Sequence, residues 1–336
     1  MNKNFAGAGL TRREAIKRTV VFSTGAVLAN WLGPWRAKAA ATEFSDQGMH
    51  LLALGDFGSG KANQVAVARQ MAAFAKKLNA PLAAVLALGD NFYQRLTLDR
   101  FGPHFEQMYD PERLNCPFYA CLGNHDYGPI YDSGQGRPKA QMQLDYARNN
   151  PASRWKMPAK WYAIELPDAQ NPLVKIIFLD GNMAAGALTP QEKLEQKRFL
   201  EAELMKPTRA PWRWMVSHFP MFSECKSRGD SSRMIQLWGD HLKTHCISLY
   251  LSGHDHTLQH LEAEGYETSF VVSGSGGGSL YEVKPTNRGF AERIYGFNHF
   301  HVTPDRFDVQ FIDADGNRLH SFRRTLAGKV EIASAG

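Results

Sequence analysis

Five short apolar runs in this chain each end in glycine or serine and hand over to residues that can bind a metal. His50–Gly55 leads to Asp56, and Leu82–Gly89 leads to Asp90. Pro117–Gly123 leads to Asn124, His125 and Asp126. Trp212–Ser217 leads to His218, and Ile247–Ser252 leads through Gly253 to His254 and His256. Runs of this length read as buried strands. In α/β sheets the edge outside the carboxyl ends of the strands is where ligands bind. A lone aspartate after a strand is commonly a helix N-cap. Five strand ends carrying oxygen and nitrogen donors to one edge are a site.

The intervening segments support an α/β architecture. Val65, Ala68, Met71, Ala72 and Leu78 recur at helical spacing over residues 62–78. Val174–Asp180 is a further strand. Thr189 as N-cap and Pro190 at the first position start a helix that runs to Met205. Beyond it come short alternating strands at Phe270–Ser273, Phe300–Val302, Phe307–Ile312 and Leu319–Arg323, with Asp315-Gly316 as a hairpin turn. Strand–helix alternation followed by a β-rich tail predicts two sheets. Residues 129–160, rich in Pro, Gly and basic residues, read as a long surface excursion, either functional or a tolerated insertion.

The formal net charge of +6 raises the question of a polyanionic partner. Residues 1–39 hold seven bases and one acid, and the remainder carries 32 of each sign. The excess belongs to the N-terminal segment and implies no nucleic acid. That segment has Arg12-Arg13, an uncharged stretch from Thr19 to Trp35, and Ala37-Lys38-Ala39. The pattern is that of a cleaved signal peptide of the twin-arginine type. Residues 1–39 are thus expected to be a leader and 40–336 one catalytic domain. The product is expected in the periplasm or secreted, delivered by the twin-arginine export machinery and without stable membrane association after cleavage. Four cysteines (Cys116, Cys121, Cys225, Cys246) lack zinc-site spacing and allow three disulfide pairings. Cys121, at the end of an apolar run, reads as a buried thiol.

Carboxylate, phenolate, amide oxygen and imidazole from Asp56, Asp90, Tyr93, Asn124, His218, His254 and His256 suit iron, manganese or zinc. Seven donors, one of them able to bridge, fit two metals better than one. The ordered set resembles the metallophosphoesterase superfamily. Tyr93, three residues after Asp90, makes it most similar to the small, tartrate-resistant kind of purple acid phosphatase. The resemblance runs from Asp56 to about residue 280 and implies a four-layer αββα sandwich. It implies that Asp56, Tyr93 and His256 bind Fe³⁺, and that Asn124, His218 and His254 bind a divalent ion (Fe²⁺, Zn²⁺ or Mn²⁺). Asp90 would bridge the two. It further implies hydrolysis of small phosphate monoesters at acidic pH, with metal-bound hydroxide as nucleophile and His125 as proton donor.

After His218 the chain departs from that family. The small enzymes carry a glutamate–histidine pair near Lys226 and Ser227, and the second histidine is missing here. Lys226 or Arg228 is read as a substrate phosphate contact, against a solvated surface charge. A phosphodiesterase or nucleotidase of the same superfamily and a non-catalytic metal or phosphate binder stand as alternatives. Gly55–Ala62 nearly spells a P-loop, but Ala62 cannot reach magnesium. Gly274–Ser279 lacks the dinucleotide spacing and reads as a tight turn near the site. His50, His104, His241, His245, His260, His299, His301 and His320 belong to no motif and read as structural.

Overall fold

A computed structural model describes residues 48–127, 137–182 and 187–333. The leader read in residues 1–39 lies outside them. The chain begins with β1 (Met49–Leu54), α1 (Ala62–Leu78), β2 (Leu82–Ala87), β3 (Phe118–Ala120), α2 (Asn124–Tyr127), α3 (Arg137–Asn149) and β4 (Trp155–Lys156). It continues through β5 (Tyr162–Leu166), β6 (Val174–Leu179), α4 (Pro190–Met205), β7 (Trp212–Ser217), α5 (Ser232–Thr244) and β8 (Leu249–Ser252). β9 (Leu258–Glu262), β10 (Ser269–Ser273), β11 (Gly289–Glu292), β12 (Gly296–Val302), β13 (Arg306–Asp313), β14 (Arg318–Thr325) and β15 (Val330–Ala333) follow.

Two mixed sheets result. One has the order β15-β14-β13-β12-β1-β2-β3-β4 and the other β11-β9-β10-β8-β7-β6-β5. Strand parity sorts their side chains. Leu52, Leu54, Val85, Ala87, Phe118 and Ala120 pack with Val67 and Met71 of α1 and Ala140 and Leu144 of α3. Ile177, Leu179 and Met215 pack with Leu200 of α4 and Trp238 and Leu242 of α5. The opposite faces of the sheets meet each other: Trp214 lies 5.3 Å from Phe300, and Trp212 4.9 Å from Phe307, centroid to centroid. This is the four-layer αββα sandwich.

α1 and α4 have the bounds expected from sequence. α4 opens on a capping box: the Thr189 hydroxyl accepts from the Glu192 amide, and the Glu192 carboxylate accepts from the Thr189 amide. At the Asp315-Gly316 turn, Gly316 takes a φ of +93°. The excursion read at 129–160 is corrected: its residues 137–149 are α3. The stripe that α3 buries includes Lys139 and Gln143, and these polar members hide its periodicity. α5 was also not legible; Ser231 caps it through the Met234 amide at 3.3 Å. Cys116, Cys121 and Cys225 are buried thiols, and Cys246 is an exposed one.

Candidate metal centre

The site spans the facing ends of both sheets. Asp56, Asp90 and Asn124 follow β1, β2 and β3 of one sheet, and His218 and His254 follow β7 and β8 of the other. Three of these residues are left-handed without being glycine: Asp56 (φ 56°), Asp90 (φ 51°) and His254 (φ 67°). Such values are uncommon for side-chain-bearing residues and concentrate at functional sites. The turns are held by main-chain bonds, Asp56 N–H to Gly89 O at 2.9 Å and Gly58 N–H to Asp90 O at 3.1 Å. The His254 amide donates to Asp56 Oδ2 at 2.7 Å, which ties the two sheets together.

The donors fall into two groups. The Tyr93 hydroxyl lies 3.0 Å from His256 Nε2 and 3.3 Å from Asp56 Oδ1, and His256 Nε2 lies 3.2 Å from Asp56 Oδ1. His218 Nε2 lies 3.2 Å from Asn124 Oδ1 and 3.2 Å from His254 Nδ1. Asp90 sits between, its Oδ2 3.5 Å from His218 Nε2. Asp56, Asp90 and His256 offer donor atoms all within 4.8 Å of one another. Donors on metal bonds of roughly 2.1 Å at right angles stand about 3 Å apart, so each group has the spacing of one coordination shell.

The histidine tautomers favour the same reading. His218 Nδ1 donates to Leu88 O at 2.8 Å, and His256 Nδ1 to Ser279 O at 2.5 Å. In both rings the far nitrogen keeps its hydrogen against a carbonyl, so Nε2 is the atom a metal would take, in exchange for any proton there. Asp56 and Asp90 are buried, and the imidazoles of His218 and His256 face them. Burial works to raise the Asp90 pKa, but the charge and hydrogen bond of His218, with His125 and His254, hold it well below the usual carboxylate range. Burial works to lower His218, and Asp90 and Asp56 overcome it and push it up to about 9. A metal replacing those protons would satisfy the same charges. The donor set therefore fits two cations.

The supporting residues escaped the sequence reading. Asp126 accepts from the amides of Gly123 (2.8 Å), Asn91 (3.0 Å) and Phe92 (3.1 Å), and so shapes the turns that carry Asp90 and Asn124. Burial, then the charge of Asp90, pushes it up to about 6. Gln143 of α3 braces both Asp126 and Asn91. The turn at Gly274–Ser279 packs against the site: the Gly278 amide donates to Asp56 O at 2.7 Å. In the near-P-loop, a Cβ on Gly58 would collide with Asn91 O, so this stretch packs closely on the turn that carries Asp90.

His125, the proposed acid, sits in α2 with its ring 4.7 Å from that of Tyr93, and its amide donates to Asp90 Oδ1 at 2.8 Å. Of the two basic candidates only Arg228 is brought to the centre, with Nη1 against His254 Nε2. Lys226 is exposed, its ammonium 3.9 Å from Glu282. Among the eight histidines without a motif, His50 and His299 bond at 3.0 Å, as do His260 and His320, away from the centre.

The family model described as calcineurin-like phosphoesterase matches residues 49–258. Purple acid phosphatase 17 of Arabidopsis thaliana is 30% identical over 300 residues, covering 83% of this chain and 85% of the relative. Tartrate-resistant acid phosphatase type 5 of Sus scrofa is 27% identical over 304 residues, covering 81% and 85%. The structure of purple acid phosphatase PPD1 from yellow lupin shares the fold, with a TM-score of 0.60 at 17% identity over 85% of this chain and 55% of that one. The chain belongs to the calcineurin-like phosphoesterase family of metallophosphoesterases, and purple acid phosphatases are its relatives over most of its length.

Proposed function

We propose that the protein is an acid phosphatase that hydrolyses phosphate monoesters at a centre of Fe³⁺ and one divalent cation, Fe²⁺, Zn²⁺ or Mn²⁺. The observation that carries this reading is the Tyr93 hydroxyl, 3.0 Å from His256 Nε2 and 3.3 Å from Asp56 Oδ1. A phenolate among carboxylate and imidazole favours a trivalent, hard cation on that side. Asp56, Tyr93 and His256 would hold it, Asn124, His218 and His254 would hold the divalent ion, and Asp90 would be shared. When bound, the two cations neutralise phosphoryl oxygens and acidify a water.

The chain's own groups do the rest. Leu88 O and Ser279 O fix the rings of His218 and His256, so the donors need little reorganisation. His125 lies outside the ligand set beside Tyr93 and donates the proton that the leaving alkoxide needs, a step typically worth roughly 10²–10⁴-fold. On this reading the enzyme acts outside the cytoplasm, exported folded by the twin-arginine machinery.

The test is turnover of monoesters and diesters by protein with two metals per chain, at acidic and neutral pH. Monoester turnover that is faster in acid is expected. Preference for diesters, or no turnover with both sites filled, refutes the reading.

A further inference from the structure

Arg228 reaches the centre from the loop after β7. Its guanidinium is held on two sides. Nε lies 3.5 Å from Oδ1 of Asp255, and Nη2 donates to the Tyr281 hydroxyl at 3.2 Å. The guanidinium carbon sits 5.0 Å above the Tyr281 ring. Both anchors are themselves fixed. Asp255 is buried, its Oδ2 accepts the Ser223 hydroxyl, and its Oδ1 makes no hydrogen bond of its own. Tyr281 lies flat on His256, with centroids 4.3 Å apart and planes at 8°. Main-chain bonds Lys226 N–H to Glu282 O (2.8 Å) and Lys284 N–H to Glu224 O (2.9 Å) lace the arginine loop to the tyrosine segment.

The third edge of the guanidinium is different. Nη1 abuts Nε2 of His254. The other nitrogen of that ring, Nδ1, points inward to His218 Nε2 at 3.2 Å. A metal held through Nδ1 obliges Nε2 to carry the hydrogen. His218 and His256 give their far N–H to a carbonyl; His254 meets an arginine. Two donors then face each other, and neither has a lone pair to offer. Arg228 thus presents an unsatisfied N–H edge at the mouth of the centre, where an anionic oxygen is the acceptor that fits.

We propose that Asp255 and Tyr281 are positioning residues that aim Arg228 as a phosphoryl clamp, and that this clamp selects monoesters over diesters. The proposal rests on the phosphatase reading. A phosphomonoester has three terminal oxygens and a diester two. Were each cation to take one phosphoryl oxygen, only the monoester would keep a third for Arg228. A guanidinium offers its N–H donors in a fixed planar fork, which suits it to hold an anionic oxygen.

The experiment uses full-length, metal-loaded protein, with inorganic phosphate as probe in calorimetric titration and the monoester-to-diester ratio of kcat/KM as second readout. Arg228→Ala should weaken phosphate binding roughly 10–100-fold and lower that ratio, with metal content at the wild-type level. Asp255→Asn should weaken phosphate about 3–10-fold when Arg228 is present and have no effect in the Arg228→Ala background. Tyr281→Phe keeps the stack on His256 and repeats that comparison without touching the buried carboxylate. Unchanged phosphate affinity in Arg228→Ala, beside a wild type that cleaves monoesters, overturns the clamp alone. Equal losses from Asp255→Asn and Tyr281→Phe in both backgrounds overturn the positioning role. A fully metallated wild type that neither binds phosphate nor cleaves monoesters overturns the phosphatase reading and the clamp with it.

Discussion

Three histidines on β1 and β12 give the fold a measurable sensitivity to acid. His50 stands opposite His301 in register, with ring centroids 4.6 Å apart, and its Nδ1 lies 3.0 Å from His299 Nε2. His299 is only 4% exposed and packs on Phe74 of α1 at 4.8 Å. A carboxylate that faces the group among the described residues is Asp308 of β13, 3.8 Å from His301 Nδ1, but Arg323 (2.6 Å) and Arg306 (3.5 Å) share it. Burial first, then the charges of His50 and His301, pushes His299 down to about 3; burial, then His301, pushes His50 down to about 4. Both rings titrate lower folded than unfolded. They cost no stability above the unfolded pKa of about 6.5, and stability is lost as pH falls below it. At about pH 4, His299 alone should cost about 3 kcal/mol, from roughly 2.5 pH units at 1.36 kcal/mol each. His299→Phe removes that loss and gives up one hydrogen bond, about 1 kcal/mol. The variant should therefore be about 1 kcal/mol less stable than wild type near neutrality and about 2 kcal/mol more stable near pH 4. Urea unfolding of both proteins, equally metallated, across that range reads the difference. A swing below about 1 kcal/mol would show that the folded protein accepts the proton freely and would refute the reasoning.

Three shorter predictions concern the centre and its delivery. Tyr93→Phe should abolish the visible absorption of the oxidised, iron-loaded protein while the fold survives, with stability changed by about 0.5–1.5 kcal/mol; a colourless wild type with iron in both sites would remove the ferric–phenolate assignment. His125→Ala should lower kcat for alkyl phosphates far more than for aryl phosphates at unchanged metal content; equal losses would assign the ring to positioning instead. Changing Arg12 and Arg13 to lysine should leave precursor in the cytoplasm, and normal processing of that variant would exclude the twin-arginine route.

The strand ends that carry the ligands were legible because a buried strand shows as an unbroken apolar run, and a ligand type stands directly after it. α1 and α4 were legible through their stripe and their cap. What failed has a physical pattern. α3 buries Lys139 and Gln143 in its apolar stripe, so its face does not read as a face. Asp126, Asn91 and Gln143 form a buried network whose members lie up to 52 residues apart, and no spacing rule joins them. The left-handed turns at Asp56, Asp90 and His254 are not legible from residue type alone, since aspartate and histidine enter that region more readily than most side chains yet mostly stand elsewhere. Lys226 and Arg228 looked equivalent in sequence. Only the partners Asp255 and Tyr281 separate the one at the centre from the one at the surface.

The orientation of the donors depends mostly on backbone, and that has a testable consequence at a glycine. The acceptors for the far nitrogens of His218 and His256 are main-chain oxygens, and Asp56 Oδ2 accepts from the main-chain amide of His254. Adding a Cβ where backbone approaches those donors should therefore move them directly. At Gly278 an added Cβ would stand 2.7 Å from His256 Cε1, 2.7 Å from the Tyr93 hydroxyl and 2.9 Å from His256 Nδ1. Those atoms all belong to the Asp56–Tyr93–His256 group. The flanking contact, Gly278 N–H to Asp56 O at 2.7 Å, is main chain, so the turn cannot retreat without losing it. The three nearest atoms include none from the Asn124–His218–His254 group or Arg228. Gly278→Ala should thus displace the Tyr93–His256 pair and release the cation of that half while the other half keeps its own. Metal analysis would then read close to one equivalent per chain, with the visible band lost and the fold intact by circular dichroism. Retention of both metals, or loss of both together, would show that the two halves are not positioned independently and would refute the argument.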